Sequence, residues 1–562
     1  MNKGSTAFSE NRGWTGWLLP SIADLIFIAL LAVLAFTNLS VRLLGDAGIG
    51  WHIRTGQLIL STHSIPHTDP FSSSMAGKPW FAWEWLFDVI VGWLDQIAGL
   101  NGVVLFTAIV IAATFSWIFR LLVRRNTNFL VALSLVLLAA SASMIHFFAR
   151  PHVVTWLFCV LWLWILDRDG QTRDAAPEAV RQDRRLLLLL PLSMLLWVNI
   201  HGGFLLGFVL LAIYWLSAIW QNLRNNQSLS NQDHFEMFLA KFRAGKRARD
   251  LAAAAILSAL ATLVNPYGWK LHLHIYRYLT NRFLMDHIDE FQSPNFHGAA
   301  QRCFAMLLLV TVLALATGKD ASAKNRPTKL LLILFAVYSG LYAARNIPVA
   351  SLLLIWVIAP DLSRAFLAIV GRVANHAPSA PDWETESFLS RMQFIDSSSR
   401  GHLWPIAAIA VIAWIALHGG NAAGGNHVMN AHFDPHRFPV SAVDYLTEHR
   451  IPGPIFAPDA WGGYLIYRLY PQTKVVIDDR HDFYGEAFLQ SYLKTIHVEP
   501  GWQDFLLAEH PACILIPKGS ALANILLETP QWQRVYADKT AIIFNPQTAT
   551  PAASAQLQLP SH

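Results

Sequence analysis

The chain has 562 residues, of which 54% are hydrophobic and only 14% are charged. Because soluble domains carry about 25% charged residues, this composition excludes a soluble protein and predicts one that is surrounded mainly by lipid. The formal net charge is +5, and the basic residues fall between apolar segments rather than in one patch. This charge distribution excludes a nucleic-acid partner.

Eleven apolar segments are candidates for membrane-spanning helices, since one crossing needs roughly 20 mostly apolar residues. They lie at 21–43, 102–122, 128–148, 152–167, 186–200, 203–221, 251–266, 303–318, 329–344, 346–360 and 403–418. The shorter ones reach the required length only with residues from their flanks. The sequence therefore predicts a polytopic α-helical membrane protein with about 11 transmembrane helices.

One further apolar segment, 81–98, carries Glu84, Asp88 and Asp95 at helical spacing, which places the three acids on one face. Tryptophans cluster in the same segment, as they do at membrane–water interfaces. We therefore expect a helix that lies along the membrane surface rather than across it.

The positions of Lys and Arg support this choice, because cytoplasmic loops carry an excess of both. With eleven spans and a cytoplasmic N-terminus, the basic stretches 120–125 and 241–249 face the cytoplasm. If 81–98 also crossed, both stretches would face outward. The sequence thus predicts an integral membrane protein whose first loop and C-terminal part lie on the outer side.

The predicted domains are a cytoplasmic segment 1–20, a membrane domain 21–429 with a first outer loop at 44–101, an outer domain 430–547 and a disordered tail 548–562. The outer domain alternates strand and helix patterns, as soluble α/β domains do. Its predicted helices are Val440–Glu448, Trp461–Leu469, 486–496 and 501–509. Its predicted strands are Pro454–Ala457, Lys474–Ile477, 512–516, 533–537 and 540–544.

The first outer loop is denser in acids and histidines than a plain connector needs to be. Its candidate catalytic residues are Asp46, His52, Glu84 and Asp88, with Asp69 as an accessory residue. Transfer of a sugar from a lipid phosphate to a hydroxyl needs a carboxylate near the acceptor to take its proton. The alternative for Asp46 is a helix-end acid solvated at the headgroups. Glycines close to Asp46 allow close backbone approach, which favours the functional interpretation.

Polar residues also gather at the outer ends of other predicted spans. Ionisable residues at the membrane boundary indicate a functional site, and cationic groups there would stabilise a departing phosphate. The candidate donor-phosphate ligands are Arg150, His152, His201 and Arg345. The alternatives are arginines that reach out to lipid phosphates and a histidine that caps a helix.

A second candidate site follows the predicted strand Lys474–Ile477. Acids at the carboxyl end of a strand lie where α/β sheets bind ligands. The candidate acceptor-binding or accessory residues are Asp478, Asp479, Arg480 and Tyr484. The alternative is a salt-bridged turn that holds Arg480.

Several short motifs give these patterns a family context. They read D-x-x-x-x-W-H-I-x-x-G from Asp46, I-P-x-x-D-P-F-S from Ile65, W-x-x-x-E-W-L from Trp80, and W-G-G-Y-L and I-D-x-R in the C-terminal part. With the span count, the long first loop and the outer domain, they resemble a bacterial branch of the GT-C superfamily. Its members are polytopic glycosyltransferases that use polyprenyl-phosphate sugars.

The resemblance implies an inverting glycosyltransferase of the inner (plasma) membrane that acts on its periplasmic face, with Asp46 as the base. Its partners would be a polyprenyl-phosphate-linked sugar, membrane lipids, and an acceptor that is a glycan, a lipid or a protein. The chain departs from the family where Ala47 follows Asp46, because many members carry paired acids in the first loop. It also lacks the W-W-D-Y-G block of oligosaccharyltransferases.

A divalent metal, Mg²⁺ or Mn²⁺, held by Asp46 and a second loop acid remains open, because hard cations prefer oxygen ligands. Two other functions also remain open. A lipid or solute transporter or flippase would place charges midway along spans, whereas here they cluster at span ends. A non-catalytic envelope assembly protein would leave the first-loop acids unexplained.

Overall fold

The computed structural model describes residues 19–172, 186–225, 245–317, 326–376, 401–451 and 453–547. By its contacts the chain divides into two compact units. The first unit comprises Met1–Leu44 and Trp83–His432, and the second comprises Gly45–Ala82 and Phe433–His562. Most of the predicted first outer loop thus groups with the C-terminal part of the chain.

The first unit is helical throughout its described residues. Its α-helices are Ile22–Phe36, Leu39–Leu43, Trp85–Arg124, Phe129–Ser143, His152–Thr172, Leu189–Ile200, Leu205–Asn225, Lys246–Ala261, Trp269–Thr280, Arg282–His287, Ala299–Thr317, Arg326–Tyr342, Ile347–His376 and Leu403–Leu417. Short 3₁₀ turns occupy Met144–His146, Gly202–Phe204, Asp289–Phe291 and Ala344–Asn346. Each predicted span overlaps these helices, and the span 21–43 is divided between Ile22–Phe36 and Leu39–Leu43.

Five helices in the described part of the chain are long and apolar enough to cross a membrane. They are Trp85–Arg124, Phe129–His146, Gly202–Arg224, Ala299–Thr317 and Ala344–Val370. Three shorter helices, Ile22–Phe36, Leu189–Ile200 and Leu403–Leu417, are also apolar. The prediction of a polytopic α-helical membrane protein is confirmed.

The predicted surface helix forms the first part of Trp85–Arg124, which is broken at Gly99. Gly99 adopts φ +59° and ψ −157°, a conformation that residues with a β-carbon avoid. Two of the acids predicted on one face are buried rather than solvated: Glu84 is 9% exposed and Asp88 is 0% exposed. The acidic stripe therefore packs into the protein.

The second unit is an α/β structure built on a four-stranded sheet. Its strands are β1 Ile455–Phe456, β2 Cys513–Pro517, β3 Trp532–Ala537 and β4 Ala541–Pro546. They are ordered β1-β2-β4-β3, with β1 parallel to β2 and the other pairs antiparallel. Its helices are Ile49–Thr62, Val440–Glu448, Asp459–Leu469, His481–Tyr484, Glu486–His497, Trp502–Glu509 and Ala521–Glu528. The predicted α/β character is confirmed.

One predicted strand does not form. Lys474–Ile477 makes only isolated bridges through Val475, which pairs with Ile455 at the β1 edge and with Ser72 from the first loop. The Ser73 amide donates to the Val475 carbonyl at 2.8 Å. The backbone of the first loop therefore supplies hydrogen bonds beside the sheet. The segment predicted as a strand lies between β1 and the first loop and contacts each of them through an isolated bridge.

Glycines hold the helices Ile49–Thr62 and Asp459–Leu469 together. A β-carbon on Gly463 would overlap the Ala47 carbonyl, and one on Gly50 would overlap the Gly463 carbonyl. Arg54 donates from Nε to the Tyr467 carbonyl at 2.8 Å across the same contact. The W-G-G-Y-L motif and the first-loop glycines thus share one role, because both let two helix backbones approach closely.

Candidate functional site

The first unit gathers charged side chains from several of its turns. Arg345 lies in the 3₁₀ turn Ala344–Asn346, and Glu290 lies in the 3₁₀ turn Asp289–Phe291. Arg345 Nη1 is 3.6 Å from Glu290 Oε1, and its guanidinium stands 4.5 Å from the Phe291 ring centroid. The two turns are joined by main chain, since the Ala344 amide donates to the Gln292 carbonyl at 2.9 Å.

Glu290 is a stable anion in this cluster. Burial alone would raise its pKa, but the positive charge of Arg345 and the charges of His146, Arg150 and His152 lower it to about 2. Its side chain is 40% exposed, so solvent also screens these interactions. At neutral pH the Glu290 carboxylate is therefore ionised and faces the cationic side chains of Arg345 and Arg150.

His201 connects this group to Glu84. His201 Nδ1 accepts from the Gly203 amide at 3.1 Å and bonds Thr155 Oγ1 at 2.8 Å, while Trp197 donates to Thr155 Oγ1 at 3.0 Å. His201 Nε2 lies 3.8 Å from Glu84 Oε1. Because Nδ1 is an acceptor, the proton of neutral His201 is on Nε2, which makes Nε2 a donor.

His201 is also kept neutral. Burial, followed by the positive charge of Arg345, holds the pKa of His201 well below its usual range. Arg150 contributes in the same direction. A neutral imidazole with a fixed Nε2 proton can donate a hydrogen bond to an anion without adding a positive charge.

The acids of the first unit lie beside these groups. Glu84 precedes the helix Trp85–Arg124, and Trp85 next to it donates to Asn199 Oδ1 at 2.7 Å. Asp88 lies one turn further along the helix, within electrostatic reach of Glu84 and Arg150. The tryptophan–asparagine bond thus fixes the start of the helix on which both acids lie.

His152 is held by main chain. Its Nε2 donates to the His146 carbonyl at 2.8 Å, and the two imidazole rings are 5.7 Å apart. The structure therefore brings together six of the predicted site residues. They are Glu84, Asp88, Arg150, His152, His201 and Arg345.

The remaining predicted site residues lie in the second unit, where most of them form a buried ion-pair network. Arg480 Nη1 is 2.8 Å from Asp69 Oδ1, and its Nη2 is 2.6 Å from Asp478 Oδ2. Tyr484 donates to Asp478 at 2.8 Å. Asp69, Asp478 and Arg480 are each at most 3% exposed. This is the salt-bridged turn that the sequence offered as an alternative.

Aromatic rings enclose the Arg480 guanidinium. Its central carbon lies 4.6 Å from the Trp80 ring centroid, 5.3 Å from Phe71, 5.1 Å from Phe483 and 6.0 Å from Trp51. Such contacts stabilise a desolvated cation. The motif around Asp69 and the I-D-x-R motif therefore meet in one packed cluster.

Asp46 and Asp479 are the half-buried acids among the predicted residues of the second unit. Asp46 Oδ1 accepts from the Gly48 amide at 2.8 Å, which orders the turn before the helix Ile49–Thr62. Asp479 Oδ1 accepts from Trp51 Nε1 at 3.0 Å. His52 is fully buried and stacks on Trp51, with ring centroids 3.6 Å apart.

Within the described ranges, no three His, Cys, Asp or Glu side chains come together in a group that could hold a metal ion. Asp69, one of the acids that could have joined Asp46, is committed to Arg480. A Mg²⁺ or Mn²⁺ ion held by Asp46 and another first-loop acid stays a prediction.

Sequence reasoning missed three members of the first-unit group: His146, Thr155 and Glu290. Thr155 lies inside an apolar span, where nothing marks it as polar machinery. Glu290 is one of several acids in a long loop, and no local pattern separates it from Asp286 or Asp289. Only the backbone contact between its turn and the Arg345 turn identifies it.

Comparisons with known proteins bear on the fold. No protein-family model and no curated protein matches the sequence. The oligosaccharyltransferase AglB from Archaeoglobus fulgidus, in complex with an inhibitory peptide and a dolichol-phosphate, matches at TM-score 0.51 and 11% identity. The match covers 94% of this chain and 74% of that chain.

Two other solved structures are similar. The A. fulgidus oligosaccharyltransferase tethered with an acceptor peptide containing the NVT sequon matches at TM-score 0.52 and 12% identity, over 88% of this chain and 68% of that chain. ArnT from Cupriavidus metallidurans, bound to undecaprenyl phosphate, matches at TM-score 0.48 and 14% identity, over 95% of this chain and 98% of that chain.

The two archaeal structures define the fold class of this chain. It has the fold of the GT-C membrane glycosyltransferases, and the resemblance seen in its sequence is confirmed at that level. At 11–12% identity the likeness establishes the fold and leaves the chemistry to the residues of this chain.

Proposed function

We propose that this protein is an inverting glycosyltransferase that moves a sugar from a polyprenyl-phosphate donor to an acceptor hydroxyl. One observation carries the proposal. In a fold of the GT-C type, the cations Arg150 and Arg345 and the neutral donor His201 come from three separate turns and share one electrostatic cluster. Separate turns that bring cations together form the kind of site that binds a phosphate.

The proposed reaction is a single displacement at the anomeric carbon. The acceptor oxygen forms a bond to that carbon while the bond from the carbon to the phosphate oxygen breaks. The hydroxyl proton passes to a carboxylate, and the bonding electrons leave with the lipid phosphate. The attacking and leaving oxygens lie on opposite faces of the sugar, so the configuration inverts.

The cationic cluster would act on the leaving phosphate. Arginines can hold phosphate oxygens in a fixed geometry, and their positive charge opposes the negative charge that grows as the bond breaks. The Nε2 proton of neutral His201 would add a directed hydrogen bond. His152 would help to shape the site, since its Nε2 is already bound to main chain.

Asp46 is the proposed base, a role that rests on the family resemblance and on its half-buried carboxylate. Glu84 is the alternative base, since it lies 3.8 Å from His201 Nε2. Single amide variants separate the two. Asp46→Asn should abolish transfer while preserving lipid binding. Transfer at the wild-type rate in this variant would show that Asp46 is not the base. Glu84→Gln would then be the next variant to assay.

The donor site is tested with undecaprenyl phosphate as the probe. We expect the purified full chain in detergent to bind it, and Arg345→Met or Arg150→Met to weaken binding at least about tenfold, because each removes a charge-assisted contact. Arg302→Met is the matched control, since Arg302 is exposed on the helix Ala299–Thr317. Equal affinities for all four proteins would refute the site.

Transfer itself is followed with polyprenyl phosphates that carry a radiolabelled hexose, pentose or N-acetylhexosamine. Membranes that contain the wild-type protein should release lipid phosphate from one of these donors and label an endogenous acceptor. If lipid phosphate binds and none of the donors is used, a binding or transport role would replace the enzyme.

We also propose a cytoplasmic N-terminus and a periplasmic C-terminal part, which the Lys and Arg distribution supports. In a variant with its native cysteines replaced, a cysteine at exposed Lys539 should react with an impermeant maleimide added outside the cell. A cysteine at exposed Lys246 should not react. The reverse pattern would invert the proposed orientation.

A further inference from the structure

Glu290 places a negative charge beside Arg345 in the proposed phosphate site. Its carboxylate is 3.6 Å from Arg345 Nη1, the cation we assign to the donor phosphate. The pairing does not depend on side chains alone, because the Ala344 amide donates to the Gln292 carbonyl. Gln292 Nε2 in turn donates to the Met285 carbonyl at 2.8 Å.

The titratable and charged groups that face Glu290 come from several turns. They are the cations Arg345 and Arg150 and the imidazoles of His146 and His152, and neutral His201 is within electrostatic reach as well. An anion that binds to these cations must either share them with Glu290 or displace it. The carboxylate thus sets how much negative charge the site accepts.

The substrate and the product of the proposed reaction differ in the negative charge on their phosphate. The lipid-linked donor is a phosphodiester with a single negative charge. The spent lipid is a phosphate monoester, whose second pKa is about 6, so that it carries about −1.5 to −2 at pH 7. A nearby carboxylate repels the product more strongly than the donor.

We propose that Glu290 weakens binding of a phosphomonoester lipid relative to a phosphodiester lipid and thereby promotes release of the spent carrier. The inference rests on the proposed function, because it assumes that the arginine cluster holds the donor phosphate. It assigns Glu290 as a specificity-determining residue of the binding site.

The test compares two probes, undecaprenyl phosphate and its methyl phosphodiester, on the purified full chain at pH 7.5. We expect Glu290→Gln to tighten binding of the monoester relative to the diester by roughly tenfold, the factor that about 1.4 kcal/mol of repulsion produces. Asp289→Asn is the matched control, since it removes the same charge from the exposed neighbour. It should leave the ratio unchanged, and Glu290→Asp should preserve the preference.

A second measurement repeats the comparison of wild type and Glu290→Gln at pH 5.5. At this pH the monoester gains a proton and approaches the charge of the diester, while Glu290 stays ionised because its pKa is about 2. The change in the monoester-to-diester ratio caused by Glu290→Gln should therefore be smaller at pH 5.5 than at pH 7.5. A carboxylate that only supported the turn would not produce this pH dependence.

The outcomes separate the two proposals. If the wild-type protein binds neither lipid, the phosphate site itself is wrong. If it binds both, and Glu290→Gln alters their ratio at neither pH, the role of Glu290 is wrong while the site stands. In turnover assays Glu290→Gln should also show stronger inhibition by added undecaprenyl phosphate.

Discussion

Replacement of Arg480 by methionine should destabilise the second unit severely. Methionine keeps much of the length of the side chain and removes its charge. The Asp69 and Asp478 carboxylates, at 2.8 and 2.6 Å from the guanidinium, would remain buried without their cation. Removing one partner of a buried ion pair costs about 3–5 kcal/mol.

This loss should appear as a shift in thermal unfolding. For a unit of this size, 1 kcal/mol moves the midpoint by about 2–4 °C, so Arg480→Met should lower it by about 6–20 °C. The assay is tryptophan fluorescence of the full chain in detergent, which is suitable because Trp51 and Trp80 lie against the guanidinium.

Arg468→Met is the matched control in the same unit. Arg468 Nη2 is 2.7 Å from Asp444 Oδ1, but these side chains are 33% and 49% exposed. Exposed pairs contribute about 0–1 kcal/mol, so the same substitution should shift the midpoint by at most about 4 °C. Equal shifts in the two variants would refute the assignment of Arg480 as a buried structural cation.

A triple variant tests the cause. Asp69→Asn and Asp478→Asn, added to Arg480→Met, remove the stranded charges, and neutral replacements of buried ion pairs are often tolerated. We expect most of the loss in midpoint to be recovered. If the triple variant is as unstable as Arg480→Met, lost packing rather than stranded charge explains the effect.

Two further predictions concern the same unit. His481 Nε2 is 2.6 Å from Asp459 Oδ2; burial would lower the pKa of His481, but this bond and the charges of Asp459, Asp479 and Asp482 raise it above 6.5. The stabilisation that protonated His481 provides is therefore complete below pH 6.5 and is lost as pH rises through its raised pKa. The difference in unfolding midpoint between wild type and His481→Gln should be largest near pH 5.5 and smaller at pH 9. A difference that grows with pH would contradict this prediction. Gly463→Ala should cost about 1–3 kcal/mol by overpacking against Ala47, whereas Gly424→Ala, which has open space around it, should shift the unfolding midpoint little.

Local patterns in the sequence predict the helices well, because apolar runs in lipid have few alternatives to helix. The helix Val440–Glu448 and the strands near 513, 532 and 541 also follow from the local pattern of apolar and polar residues. Lys474–Ile477 fails as a strand for a non-local reason. Its hydrogen bonds go to Phe71, Ser73 and Ile455, and no window around residue 475 contains that information.

The residues of the candidate site also divide into those that local sequence predicts and those that depend on non-local contacts. Arg150, His201 and Arg345 are predicted from the sequence because each lies at the end of an apolar segment next to a turn residue. Glu290 is missed because its partner is 55 residues away and is brought to it by a main-chain bond between two turns. The tautomer of His201 is likewise invisible in the sequence, since it depends on Thr155 and Gly203.

The structure also changes what the first-loop acids mean. Asp69 lies in the motif I-P-x-x-D-P-F-S, yet it is 3% exposed and bound to Arg480. The motif therefore reflects packing at this position. Asp46 is half-buried and lies at a turn. Loss of activity in Asp69→Asn should therefore come with a lower unfolding midpoint, whereas in Asp46→Asn it should come without one. An unstable Asp46→Asn variant would make Asp46 structural too and would leave Glu84 as the first-loop acid to test as the base.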